Sequence, residues 1–113
     1  MLITGGVSPS SSDAFGQGAI YDPANSLTSG TNNMQFSRVF HTATLLPTGN
    51  VVVVGGMPIV GLNVAHASAE WFDSANTGSF AVTSGMTSPR ANFTATLLAS
   101  GKVLLAGGED AAG

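Results

Sequence analysis

The sequence predicts an all-β chain built from four-stranded antiparallel units, the blades of a β-propeller, and three observations carry that expectation. The first is an internal repeat. Shifted by 52 residues, HTATLLPTGNVVVVGG (His41 to Gly56) lies over FTATLLASGKVLLAGG (Phe93 to Gly108) with nine of sixteen positions identical. Upstream, Met34 falls on Met86 and Arg38 on Arg90; with a one-residue adjustment, AIYDPAN (Ala19 to Asn25) lies over EWFDSAN (Glu70 to Asn76). The second is the period, near 50 residues, which holds several short strands and marks a propeller blade rather than a helical solenoid. The third is the absence of any segment with a helical period, while Gly, Pro and β-branched residues run throughout.

Taken in order, LITGG at the start repeats the strand end VVVGG fifty positions early. AIYDPAN supplies the next strand, and a further one lies near Leu27. His41 to Leu46 alternates Thr with Ala and Leu, the period-two pattern of a half-buried strand. PTGN (Pro47 to Asn50) and ASGK (Ala99 to Lys102) are turns, because Gly accepts the positive φ of a tight hairpin. Val51 to Val54 and Val103 to Ala106 are apolar on both faces, as in strands buried between neighbouring sheets. Ala67 to Asp73 gives a third strand of the unit, with Trp71 and Phe72 on opposite faces, and Phe80 to Thr83 a fourth.

With these strands labelled a to d, a single partial propeller domain spans 1–113. Residues 1–37 hold strands b, c and d of a first blade, 38–89 a complete blade, and 90–113 strands a and b of a third. That is about two blades plus one strand, too few to close a ring, which needs at least about four blades. Open edges and an apolar flank invite association. The expectation is therefore a partial propeller, either a section of a longer one or a subunit that completes a ring with copies of itself through its open blade edges.

Composition removes several classes of function. Three basic residues (Arg38, Arg90, Lys102) against six acidic ones leave no electrostatic footprint for nucleic acid. No basic amphipathic stretch suits a membrane surface, and no apolar run approaches the roughly 18 residues of a spanning helix. MLITGGVSPS lacks the basic and apolar regions of a signal peptide. Without cysteine there is neither a disulfide nor a thiolate metal site. Sparse charge with many small polar residues suits a secreted β-rich protein, so an extracellular or cell-surface location is expected.

The unit R-x-x-[HF]-T-A-T-L-L-x-x-G-x-V-x-x-x-G-G, followed by E-x-[YF]-D-x-A and an aromatic in strand d, resembles the bacterial kelch repeats of galactose-oxidase-type β-propellers across almost the whole chain. The resemblance implies that the double glycines Gly5 and Gly6, Gly55 and Gly56, Gly107 and Gly108 end strand b. It implies that Tyr21 with Asp22, and Phe72 with Asp73, close strand c, and that Phe80 packs between blades. Two departures stand out: Ala19 takes the position of Glu70 in the first unit, and only Leu27 lies near the strand-d aromatic there. Activity does not follow from the resemblance, because one fold hosts many functions.

GGMPIVG after Val54 lacks the G-x-G-x-x-G spacing and precedes no helix, so it is not a dinucleotide fingerprint. The galactose-oxidase cofactor implied by the resemblance needs a tyrosine crosslinked to a cysteine, which this chain lacks; no metal and no cofactor is expected. His41 stands where Phe93 stands in the next unit, which points to packing, and His66 reads as a loop residue at the surface. Arg38 and Arg90 recur in register, so a structural guanidinium paired with Glu70, Asp22 or Asp73 is favoured over a ligand-facing ring. Glu109 and Asp110 read as solvated.

The long b–c and d–a connections emerge on one face, and long polar loops on a rigid scaffold are where recognition concentrates. Asp13, Asn63, His66 and Arg90 are the candidate ligand-binding residues, and none is assigned a catalytic role. The expected function is a non-catalytic binding or structural module for a protein or carbohydrate partner. The alternative is a fragment of a galactose-oxidase-like or glycan-processing propeller enzyme whose catalytic residues lie elsewhere.

Overall fold

The computed structural model describes residues 1–11, 13–58, 64–75 and 78–110. Among them are nine strands: β1 (Leu2–Thr4), β2 (Gly18–Asp22), β3 (Leu27–Gly30), β4 (Thr42–Leu45), β5 (Val51–Val54), β6 (Ala69–Asp73), β7 (Ser79–Thr83), β8 (Thr94–Leu97) and β9 (Val103–Ala106). They form three antiparallel sheets in simple sequential order: β1-β2-β3, β4-β5-β6-β7 and β8-β9. The protein is all-β and its architecture is that of a partial propeller. Strand a of the central sheet is shorter than its alternating pattern suggests, running from Thr42 to Leu45 rather than from His41 to Leu46. Strand c begins at Ala69, and strand d takes in Ser79.

Short connections explain the hairpins. Leu46 N–H donates to the Asn50 carbonyl (2.8 Å) and Gly49 N–H to the Leu46 carbonyl (2.9 Å); Leu98 to Lys102 (2.7 Å) and Gly101 to Leu98 (2.9 Å) repeat the pattern. Gly49 and Gly101 sit at φ 90° and 85°, where a side chain is strained. The Asp of each aromatic–Asp pair starts the next turn: the Asp22 carboxylate accepts the Ala24 N–H at 2.9 Å, and Asp73 accepts that of Ala75 at 3.0 Å. These are Asx turns, in which a short acidic side chain imitates a backbone carbonyl.

The central sheet is covered on both faces, so β5 is apolar at every position. Val53 and Phe72, with Phe80 and Met34, pack against Leu2 and Ile20 of the first sheet. The rings of Phe72 and Phe80, directly opposite across β6 and β7, lie 5.1 Å apart and tilted by 53°. On the other face Val54 and Ala69 pack against Phe93, with Val52, Met86 and Leu105 at the margin. Trp71 points to that second face and remains 37 % exposed, whereas its neighbour Phe72 is buried. A third cluster (Ala14, Val39, Met57, Ala91) contains no strand residue; it is the core of the long-loop layer.

Candidate functional site

The long-loop end of the molecule is organised by the segment preceding strand a. In the central blade, residues 35–38 form a turn whose polar groups converge on one carboxylate. Gln35 N–H donates to Glu70 Oε1 (2.6 Å), Phe36 N–H to Oε2 (3.3 Å) and Arg38 Nη2 to Oε2 (2.7 Å). Arg38 also donates through Nη1 to the Gly55 carbonyl (2.7 Å) and the Ser68 carbonyl (3.2 Å), through Nη2 to Ser68 Oγ (3.1 Å), and through Nε to the Phe36 carbonyl (3.4 Å). Both side chains of the Arg38–Glu70 pair are 0 % exposed. Burial pulls the guanidinium below the ordinary arginine pKa, and the hydrogen bond and charge of Glu70 oppose it. Of the three carboxylates the sequence offered to Arg38, the structure provides Glu70, because its register across from Val53 puts it at the loop end of β6.

The same segment joins one blade to the next. The Arg38 carbonyl accepts the Gly6 N–H (3.4 Å), and the Arg90 carbonyl accepts the Gly56 N–H (3.0 Å). A Cβ on Gly55 would lie 2.5 Å from the Arg90 carbonyl and 2.6 Å from the Phe93 ring, and φ there is +67°. Glycine is required for both reasons. Gly5, also at +67°, meets the Arg38 carbonyl and the His41 ring in the same way. The double glycine thus ends strand b and seats it against the following blade.

His41 occupies that seat in the first junction. Its Nε2 is 2.8 Å from Thr4 Oγ1, while Nδ1 is buried with no hydrogen-bond partner. Burial, with the Arg38 charge adding to it, lowers its pKa to about 4; the nearby Arg38 carbonyl opposes only weakly. The imidazole is therefore neutral near pH 7 and acts as a packing element, as Phe93 does one repeat later.

The four candidate ligand-binding residues do not form a single site. Asp13 is exposed, and its backbone carbonyl accepts the Ser8 N–H at 2.9 Å. Asn63 lies outside the described residues. His66 is not a plain surface residue: it is half-buried, tilted against Phe36 with ring centroids 5.7 Å apart, and its Nε2 lies 3.1 Å from the Ser37 carbonyl. Desolvation lowers its pKa, so neutrality is favoured. Arg90 is half-buried, and its Nη1 donates to the Gly107 carbonyl at 2.9 Å. Arg90 and His66 are neighbours through the backbone, with Arg90 N–H donating to the His66 carbonyl at 3.2 Å. Among the described residues no side-chain hydrogen bond or ion pair links Asp13, His66 and Arg90 to one another. Glu109, expected to be solvated, is half-buried and accepts Asn92 Nδ2 at 2.6 Å.

The long connections are cross-linked: Ala14 N–H to the Pro58 carbonyl (3.0 Å), Arg38 N–H to Phe15 (3.2 Å) and Met86 N–H to Ala67 (2.7 Å). Sequence reasoning missed Ser68, the Gln35 and Phe36 amides, and Thr4. The amides carry no side-chain signature at all, and the residue types at Ser68 and Thr4 do not recur, since Gln17 and Val54 stand at the matching positions.

No protein-family model and no curated protein matches the chain. Among solved structures it is similar to a fungal alcohol oxidase of the AA5 family, described as catalytically diverse and solved in complex with copper. That likeness has a TM-score of 0.80 and 28 % identity, and covers 96 % of this chain. The chain spans 24 % of that protein. The residues present here do not fit a copper centre: among the described residues no three His, Asp or Glu side chains converge, and the two imidazoles face Thr4 and the Ser37 carbonyl separately. The fold is thus that of a partial β-propeller, similar to part of that structure, and among the described residues no three His, Asp or Glu side chains form a metal-binding group.

Proposed function

We propose that the chain is a non-catalytic kelch-type propeller module, working outside the cell as a scaffold whose long-loop face recognises a protein or carbohydrate partner. One observation carries this reading. In the complete blade the recurring arginine is consumed in holding the fold: Arg38 spends its guanidinium on Gly55, Ser68 and Glu70, and its carbonyl on the next-door Gly6. A guanidinium buried in this way cannot meet a ligand, so recognition falls to the non-repeating loop residues, among them Asp13, Phe36 and His66. The likeness to an alcohol oxidase favours a second reading, a section of a propeller enzyme whose reactive groups lie outside this chain.

Titration of the purified chain against immobilised oligosaccharides and extracellular protein extracts, with and without chelator, tests the choice. The module reading expects a saturable ligand whose affinity is unchanged by chelator. Dioxygen consumption with primary alcohols on adding copper would overturn it.

A further inference from the structure

Asn92-Phe93-Thr94 is the one Asn-x-Thr or Asn-x-Ser triplet in the chain. That triplet, with any residue but proline in the middle, is the acceptor pattern for N-linked glycosylation. The repeat accounts for two of its three residues. Thr94 falls on Thr42 as the first residue of strand a, and Phe93 falls on His41 as the side chain packed against the double glycine. Asn92 falls on Phe40, so the repeat does not call for an asparagine there.

The backbone does not call for it either. Asn92 has φ +54°, a left-handed conformation that asparagine adopts more readily than most residues. Phe40 holds φ +59° at the matching place with a bulky side chain, so the turn forms without an amide. What sets Asn92 apart is its outlook. Ala91 and Phe93 on either side are buried, whereas Asn92 and Thr94 are exposed. The Asn92 N–H donates to the Phe40 carbonyl at 3.1 Å, which fixes the backbone at the loop end of strand a. The side chain stands clear of the packed junction: Nδ2 donates to Glu109 Oε1 at 2.6 Å, in a hydrogen bond that is itself exposed. An amide nitrogen carries two hydrogens. A glycan replaces one of them, so the other can still serve Glu109.

We propose that Asn92 is an acceptor for an N-linked glycan, carried on the long-loop face. The donor is an oligosaccharide joined to a lipid pyrophosphate. Asn92 Nδ2 bonds to the anomeric carbon as the bond from that carbon to the pyrophosphate oxygen breaks. The lipid pyrophosphate leaves with the electron pair, and Nδ2 gives up one proton to a base of the transferase. Thr94 supplies the hydroxyl by which the transferase recognises the triplet. In the fold that hydroxyl donates to the Ala106 carbonyl at 3.3 Å, across the β8–β9 hairpin. Transfer therefore belongs to the chain before β8 closes on β9, and the fold has only to leave the product in water, which the exposed Asn92 does. This inference rests on the reading of the chain as an extracellular module but not on its being non-catalytic.

The test is expression of the chain behind a cleavable secretory leader in yeast, with the secreted protein read by intact mass. The expected result is a gain of one N-linked oligosaccharide, removed by peptide N-glycosidase, with the converted residue mapped to position 92. Asn92→Gln and Thr94→Val should each abolish the gain, while Thr94→Ser, which keeps the hydroxyl, should retain it. The glycosylated chain should also keep slow hydrogen exchange at the Ala91 and Glu109 amides, which pair with each other beside the site. The enzymatically deglycosylated chain is the folded control for that comparison. No mass gain in the secreted wild-type chain, a gain that survives Asn92→Gln, or loss of that protection on glycosylation overturns the proposal. The leader is supplied, so these outcomes do not depend on where the chain works. A chain that its own cells retain in the cytosol would defeat the extracellular reading alone.

Discussion

At the residue scale, two buried titratable groups have opposite consequences. Glu70 neutralises a guanidinium that has no access to water, so removing it strands a charge. Glu70→Ala should cost about 3–5 kcal/mol in urea unfolding; a loss below about 1 kcal/mol would show that water reaches Arg38. His41 is the reverse case, a base kept neutral by burial. Its pKa falls from 6.5 in the unfolded chain to about 4 in the fold, so below pH 6.5 the unfolded state binds the extra proton. Stability from this residue is intact above that value, declines as pH falls, and levels off below about 4. The full loss approaches ~3 kcal/mol. His41→Phe, which copies Phe93, should remove that acid dependence, and thermal melts from pH 4 to 7 would check it.

At the element scale, the decisive contact is the double glycine against the blade that follows. Gly55→Ala places a Cβ against both a carbonyl and an aromatic ring at positive φ, while Gly101, at φ +85°, faces open space. Strain alone should cost Gly101→Ala about 1–2 kcal/mol, and Gly55→Ala clearly more, because the junction must part. Equal losses in parallel denaturation curves would refute the blade-seating role. Much of this element was legible beforehand: the glycines recur with the repeat, and the alternation of Trp71 and Phe72 assigns one to each face. The carboxylate cradle was not legible, because two of its three donors are backbone amides and any residue type supplies them. The half-burial of His66 was equally hidden. It depends on Phe36 and Ser37, which come from another loop some thirty positions away in sequence.

At the scale of the whole molecule, the three sheets form a slab 43 × 40 × 21 Å across whose first and last sheets have open edges. Exposed Leu45, Val82 and Leu104 add to the tendency of such edges to associate. Light scattering should show association that grows with concentration rather than one discrete closed ring. Leu104→Lys should suppress it while changing stability by less than about 0.5 kcal/mol, since the side chain is more than half exposed. A ring of fixed size, indifferent to that substitution, would contradict the expectation.

The sequence by itself determined that the chain is all-β, that it repeats near every 50 residues, and where the strands and tight turns lie. Those properties are set locally, by period-two alternation and by glycine's access to positive φ. Only the tertiary structure decided which carboxylate Arg38 would take, that His41 would be held neutral between blades, and that His66 would pack on Phe36. Each of these depends on which strands become neighbours, and therefore on burial and on register across the sheet.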